Sequence, residues 1–149
     1  MATSGSLSLI ADRLDIIELT ARYAYLMDTR NLDLVMELWS DEDPVFDEEA
    51  FGLKKCTGKK EIRDYFELDI LGKMEKLCHL TTNHIIEEIT NSTATGTCTV
   101  LVEGDVKDGG GTARATGYYE DRYVRENGSW KFSSRKVSPL TKTQFGAYK

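Results

Sequence analysis

Residues 15–43, DIIELTARYAYLMDTRNLDLVMELWSDED, decide the fold, because they predict one long amphipathic helix followed closely by a short one. The long helix is predicted over about residues 7–28, and apolar side chains recur along it in steps of three and four. The positions that share this face are Ile10, Leu14, Ile17, Ala21, Ala24 and Asp28. Asp15, Glu18 and Arg22 lie on the opposite face, so the stripe is predicted to point into the core.

Asp28 ends this stripe and is the first candidate functional residue. Burying a carboxylate is costly unless a partner binds it. The last turn of a helix also disfavours negative charge, by roughly 0.3–1 kcal/mol. The pattern therefore predicts an inward acid with a partner. Two roles stay open at this point, a catalytic one and a structural one in which the carboxylate binds backbone amides of the following loop.

The chain from residue 31 to residue 72 predicts two further helices and a short strand. Asn31 is predicted as the N-cap of the second helix, and the third helix is predicted to begin after Gly58. The predicted buried positions of the two helices are Leu32, Val35, Met36, Leu38, Trp39, Ile62, Phe66 and Ile70. Between them, residues 44–46 predict a short strand.

After Gly72 the sequence alternates β-branched and aromatic residues with polar ones, which predicts strands. The candidate strands are residues 79–89, 93–106, 111–125 and 129–137. Asn91-Ser92 and Asn127-Gly128 are predicted to form tight turns between them.

Helices followed by consecutive hairpins predict an α+β fold. We expect a cone-shaped, curved antiparallel (mixed) β-sheet packed by three N-terminal helices, that is, an α+β barrel. With 149 residues the chain is predicted to be a single domain over residues 1–149, with tails at 1–6 and 141–149. The open cone predicts an apolar pocket for a small molecule.

Composition excludes several classes of protein. A net charge of −6 argues against a nucleic-acid partner and against an anionic membrane surface, and no apolar run is long enough for a membrane span. The first residues do not have the pattern of a secretory signal, so we expect a cytoplasmic protein. Cys56, Cys78 and Cys98 are predicted to be reduced thiols, and with two histidines in the chain we expect no metal site.

Three segments resemble the SnoaL-like branch of the nuclear-transport-factor-2-like superfamily. They are residues 15–43 quoted above, CTGKKEIRDYF at 56–66, and YYEDRYVRENGSWKFSSRKV at 118–137. The resemblance runs from about Leu9 to Leu140 and implies the cone-shaped fold. The superfamily includes dehydratases, dehydrohalogenases, ketosteroid isomerases, polyketide cyclases and non-catalytic subunits, so the resemblance alone does not fix a reaction.

Within that branch the sequence is most similar to the scytalone dehydratases and the hexachlorocyclohexane dehydrochlorinases. Asp28 in YLMDTR and His79 in CHLTTNH match the catalytic aspartate and histidine of these lyases. Arg135 in WKFSSR falls where the dehydrochlorinases place a pocket arginine, and Tyr23 resembles a helix tyrosine of bile-acid dehydratases. The second histidine of the scytalone dehydratases has no assigned counterpart here.

The matched residues imply a cofactor-independent lyase that performs dehydration or a related elimination on a small, apolar organic molecule. His79 is the expected general base and Asp28 the carboxylate that orients it. An isomerase or a polyketide-cyclase-like enzyme would use the same base, and a non-catalytic ligand-binding or assembly subunit would use the same cone. Relatives pair through the outer face of the sheet, so we expect a homo-oligomer, a dimer or a trimer.

The supporting residues depend on side-chain direction. Tyr23 is predicted to lie about 140° around the helix from Asp28 and to flank the stripe. In a regular strand Arg135 faces away from Trp130 and Phe132, so it reaches the pocket only if a bulge near Ser133-Ser134 resets the alternation. By parity along the strand that carries His79, His84 is predicted to lie on the opposite face, as an outward or interface residue.

Overall fold

The computed structural model describes residues 4–141, with side chains from residue 7 onward. The helices are α1 (Ser4–Asp28), α2 (Leu32–Glu37) and α3 (Lys59–Tyr65), and α3 continues as a π-helical segment over Phe66–Leu71. The strands are β1 (Val45–Asp47), β2 (Lys55–Thr57), β3 (Met74–Ile89), β4 (Thr93–Val106), β5 (Thr112–Glu126) and β6 (Ser129–Pro139). A 3₁₀ turn over Glu49–Phe51 lies between β1 and β2.

The six strands form one mixed, curved sheet in the order β2-β1-β6-β5-β4-β3. β1 pairs with β6 in parallel, and all other neighbours are antiparallel. The sheet is open, with β2 and β3 at its edges, and the helices pack on one face. The predicted α+β class is confirmed. β2 was not predicted, because a strand of three residues is too short for an alternation to be recognised.

The inward face of α1 differs from the predicted stripe. The buried side chains of α1 are Ile16, Leu19, Thr20, Tyr23, Ala24 and Met27, and of these only Ala24 belongs to the predicted stripe. Ile10 and Leu14 are 53% and 61% exposed, so the prediction that they face the core is wrong. The helix has two apolar faces, and Leu14 lies about 180° around it from Tyr23. Spacing identifies a face but does not say which of two faces packs against the sheet.

Aromatic side chains from helices and strands form the centre of the core. Trp39, which follows α2, contacts Phe46 on β1, Phe66 after α3 and Phe132 on β6, with ring centroids 5.3–6.2 Å apart. These rings connect the short strand β1 to the long hairpins. Their edge-to-face and tilted arrangements are the geometries that aromatic pairs prefer. Asn31 precedes α2 as predicted, but its side chain makes no capping hydrogen bond.

Four register shifts interrupt the long strands, three in β3 and one in β6, and two of them bear on predicted residues. In β3 the register shifts between Thr82 and Ile85, where Asn83 has a φ of 56°. In β6 the partners change from Tyr123–Phe132 to Arg122–Ser134, so that Ser133 is the extra residue. A bulge inserts one unpaired residue and exchanges the faces of the residues that follow.

The ends of the chain bear on two predictions. α1 begins at Ser4, so part of the segment 1–6 that was predicted as a tail is helical. The predicted tail over 141–149 lies outside the described residues apart from Thr141. Among the helices of residues 4–141, none combines the length and apolar character that crossing a bilayer requires.

Candidate active site

A cavity of about 500 Å³ lies between the helices and the inward face of the sheet. Its wall is mostly apolar, and the polar side chains on it that are buried or half-buried are Tyr23, Glu48, Tyr65, His79 and Tyr119. Lys54, Asp69, Lys73 and Arg114 line it as exposed residues and therefore form its rim. Such a volume suits a small organic molecule held by apolar contacts and oriented by a few polar groups.

The structure brings Asp28 and His79 together at this wall. Asp28 is the last residue of α1, and His79 lies on the edge strand β3. The Asp28 carboxylate contacts the imidazole through Oδ1, 2.5 Å from Nδ1, and accepts the backbone N–H of the same histidine through Oδ2 at 2.9 Å. The side chains of Asp28 and His79 are 23% and 7% exposed, so the pair is largely shielded from water.

This contact fixes the orientation of the imidazole ring. With Nδ1–H donated to an ionised carboxylate, Nε2 is the unprotonated nitrogen, a tautomer inferred from the hydrogen bond. His79 lines the cavity, and no described residue hydrogen-bonds Nε2. The arrangement can therefore accept a proton from a molecule in the cavity, while Asp28 stabilises the imidazolium that forms.

Arg30 holds the two elements of the pair in place, a role that the sequence analysis did not foresee. It follows α1 with a positive φ of 61°, and its guanidinium donates to the carbonyls of Leu71 at 2.6 Å and Met74 at 3.0 Å. Because Met74 begins β3, these bonds tie the end of α1 to the strand that carries His79.

Tyr23 lies at the centre of the inward face of α1 and on the cavity wall, so the prediction that it only flanks the packed stripe is wrong. Its ring meets those of His79 and Tyr119 edge to face, with centroids 6.3 Å apart in each case. Burial raises the pKa of the Tyr23 hydroxyl well above its ordinary value, against a smaller lowering by Arg135. Tyr23 therefore stays protonated and can donate a hydrogen bond.

Arg135 points inward because of the bulge at Ser133, as the sequence analysis required, but it does not line the cavity. Its guanidinium pairs with the Asp121 carboxylate and lies 3.8 Å from the ring centroid of Tyr119 and 4.5 Å from that of Tyr23. The resemblance to the dehydrochlorinases implied a pocket arginine at this position, but Arg135 is not part of the cavity wall. Arg135 supports the tyrosines of the wall from beneath.

His84 also differs from its predicted direction. The bulge at Asn83 places His84 on the same face as Ile86 and Cys98, which is the inward one. Burial lowers the pKa of His84, and the positive charge of Arg135 lowers it further. His84 is therefore a half-buried packing residue beside the ion pair, and it does not line the cavity.

Glu48 and Tyr65 are polar wall residues that the sequence analysis missed. Tyr65 donates its hydroxyl to Glu48 Oε2 at 2.7 Å. Burial raises the pKa of Glu48 to about 7, although this hydrogen bond lowers it. Glu48 follows the buried Phe46 by two positions, so strand alternation could have placed both on one face. The acidic neighbours Asp47 and Glu49 obscured this signal.

Residues 8–136 of the chain match the family model of the SnoaL-like domain. The chain belongs to the SnoaL-like family. No curated protein matches the sequence. Within residues 4–141, the cysteines, histidines and carboxylates of this SnoaL-like domain form no group of three or more that could hold a metal ion.

Solved structures share the fold of this SnoaL-like domain over nearly its whole length. A protein from Novosphingobium aromaticivorans DSM, provisionally assigned as an aromatic ring hydroxylase, is 29% identical with a TM-score of 0.85, covering 91% of this chain and 93% of its own. A second protein, from N. aromaticivorans DSM 12444, is provisionally assigned as a scytalone dehydratase. It is 21% identical with a TM-score of 0.82, and the match covers 94% of this chain and 91% of that one.

The hexachlorocyclohexane dehydrochlorinase LinA-type3 from Novosphingobium barchaimii LL02 is similar as well. It is 22% identical with a TM-score of 0.76, and the match covers 93% of this chain and 96% of that one. At the identities of the last two proteins, the likeness establishes the fold and not the reaction.

Proposed function

We propose that this SnoaL-like protein is a cofactor-independent lyase that removes water or an acid from a small, largely apolar molecule. The observation that carries the proposal is the two-point contact of Asp28 with Nδ1 and the backbone N–H of His79, beside an apolar cavity. Two of the similar structures carry the names of a dehydratase and a dehydrochlorinase, and both names denote eliminations.

In the proposed step Nε2 of His79 takes a proton from a carbon next to an electron-withdrawing group. The electron pair of that C–H bond forms the new double bond, and the leaving group departs from the neighbouring carbon. Asp28 stabilises the imidazolium, and the protonated hydroxyl of Tyr23 donates to the oxygen on which negative charge develops. A positioned base contributes typically 10²–10⁴-fold to the rate, so the tyrosine's contribution is needed as well.

The test is turnover of a bicyclic β-hydroxy ketone, 3-hydroxy-1-tetralone, whose dehydration yields fluorescent 1-naphthol. We expect Asp28→Asn and His79→Ala to lower kcat by about 10²–10⁴-fold while circular dichroism shows a folded protein. His84→Ala is the matched control, because that histidine does not line the cavity. Rates near the wild-type value in both site variants would contradict the proposal.

Isomerisation or cyclisation of a ketone is the second candidate, and the neutral tyrosines of the cavity wall favour it. It needs the same base and a donor for the enolate oxygen, and Tyr23 and Tyr119 both line the cavity with raised pKa values. Mass spectrometry separates the candidates, because elimination loses water or an acid and isomerisation conserves mass. A non-catalytic ligand-binding subunit would leave an apolar ligand chemically unchanged.

A homo-oligomer remains a prediction. Leu80 and Ile85 on β3 and Tyr118 on β5 are exposed on the outer face of the sheet, opposite the cavity. Apolar side chains exposed on one face of a sheet favour association. Sedimentation at micromolar concentration tests the prediction, and a monomer would contradict it.

A further inference from the structure

Glu48 is a cavity carboxylate that the proposed base does not use. It lies on the wall of the same cavity as His79, half-buried, directly after β1. Its Oε2 accepts the Tyr65 hydroxyl at 2.7 Å, and no described residue hydrogen-bonds Oε1. No lysine, arginine or histidine of the described chain forms an ion pair with Glu48. The carboxyl group therefore presents one free oxygen and has no counter-charge.

We propose that Glu48 is the general acid of the elimination, which protonates the departing hydroxyl while His79 removes the proton on carbon. The inference rests on the proposed function and assigns to it a leaving group, a hydroxyl, that needs a proton in order to leave. Elimination of water from an apolar molecule without such a donor would release hydroxide into a cavity that disfavours charge.

Other groups on the wall are less suited to donate this proton. Burial raises the pKa of Tyr23, Tyr65 and Tyr119 above the ordinary value of a phenol, so these hydroxyls release protons less readily. Asp69 is paired with Lys73 at 2.7 Å on the exposed rim. Burial brings the pKa of Glu48 to about 7, which is the range in which a general acid works best near neutral pH.

The step is balanced in protons and electrons. The C–H bond breaks towards His79 Nε2, its electron pair forms the C=C bond, and the C–O bond breaks with its electrons on oxygen. The proton on Glu48 Oε1 completes the water molecule. The enzyme is then left with an imidazolium and a carboxylate, and proton exchange with solvent through the open rim restores both groups.

Tyr65 acts as a positioning residue in this scheme. Its hydroxyl occupies Oε2, which leaves Oε1 as the oxygen that carries the proton. Its hydrogen bond also lowers the pKa of Glu48 against the larger effect of burial. Tyr65→Phe is therefore expected to raise the pH above which kcat for dehydration begins to fall. Loss of packing alone would not produce this change.

Two reactions of related probes separate the two roles. Exchange of the C2 protons of 1-tetralone in D₂O, followed by NMR, needs the base and the Tyr23 donor but no general acid. Dehydration of 3-hydroxy-1-tetralone, followed by 1-naphthol fluorescence, needs the base and the acid. We expect Glu48→Gln to lower dehydration kcat about 100-fold or more and to leave exchange within about threefold of wild type. Glu49→Gln, the exposed neighbour, is the matched control.

The pH dependence gives an independent readout. Wild-type kcat for dehydration is expected to fall about tenfold per pH unit above about pH 7, and Glu48→Gln is expected to lack this limb. If Glu48→Gln dehydrates within about threefold of wild type, the inference is wrong while the proposed function stands, provided that Asp28→Asn loses both reactions. If the wild type neither exchanges nor dehydrates the probes, the proposed function itself fails and the inference fails with it.

Discussion

Asp121 and Arg135 form a two-point ion pair that is completely buried beneath the cavity. Nε of Arg135 donates to Oδ1 at 2.8 Å and Nη2 donates to Oδ2 at 2.7 Å, and both side chains are 0% exposed. The Tyr123 hydroxyl donates to the same carboxylate at 2.9 Å. Although burial disfavours the charge on Arg135, the Asp121 carboxylate outweighs this and raises the pKa of the guanidinium. The guanidinium therefore stays charged, and its contact with Asp121 holds the wall of the cavity.

Breaking this pair is expected to destabilise the protein strongly. Arg135→Met leaves the Asp121 carboxylate buried without a counter-charge, and we expect the free energy of unfolding to fall by about 3–5 kcal/mol. Asp121→Leu alone is expected to lower the free energy of unfolding by a similar amount. The double variant is expected to lower it by much less than the sum of the two single losses, because both charges are then gone. Urea unfolding measures all three, and additive losses would contradict the pairing.

The two apolar faces of α1 predict opposite outcomes for the same substitution. Leu19→Ala removes buried methyl groups from the inward face and is expected to lower the free energy of unfolding by about 2–5 kcal/mol. Leu14→Ala acts on the exposed face and is expected to change it by no more than about 0.5 kcal/mol. Thermal or urea unfolding at equal protein concentration compares them. Equal losses would show that the exposed face is covered in solution.

Local patterns predicted much of the fold because local physics determines it. The alternation of β-branched and polar residues defined the four long strands, and the Asn127-Gly128 turn follows from two residues that tolerate positive φ, at 50° and 83°. The pairing of Asp28 with His79 came from the family resemblance, since nothing local joins residues 51 positions apart.

The directions of several side chains could not be predicted because they depend on tertiary contacts. Parity along a strand assumes a regular ladder, so it failed at His84, beyond the bulge at Asn83. For Arg135, a bulge near Ser133 was the stated condition for an inward side chain. Its ion pair with Asp121 depends on the neighbouring strand β5, which the pattern of β6 does not contain. The inward face of α1 was decided by the sheet that packs on it, which helical spacing does not contain.

Asn83 is expected to be sensitive to β-branched residues. Its φ of 56° lies in the left-handed region, which valine adopts only with strain, so Asn83→Val is expected to cost about 1–3 kcal/mol. Asn83→Gly can adopt the same conformation and is expected to cost less than about 1 kcal/mol. Thr82→Val, at the preceding exposed position, is the control. Equal unfolding free energies for the valine and glycine variants would mean that the bulge does not need the positive φ.

Glu48 predicts a specific dependence of stability on pH. Its pKa in the folded protein is about 7, against an ordinary value of 4.5, so the folded state binds the proton more tightly than the unfolded chain. Stability from this group is therefore fully present below about pH 4.5 and is lost as the pH rises through about 7, by at most about 3 kcal/mol.

Glu48→Gln cannot ionise, and its amide oxygen can still accept the Tyr65 hydroxyl. We expect this variant to be more stable than the wild type by about 1–3 kcal/mol at about pH 8, and to differ by no more than about 1 kcal/mol at about pH 5. Urea unfolding at the two pH values, with Glu49→Gln as the control, measures the change. A difference that is the same at both pH values would mean that Glu48 titrates like an exposed carboxylate.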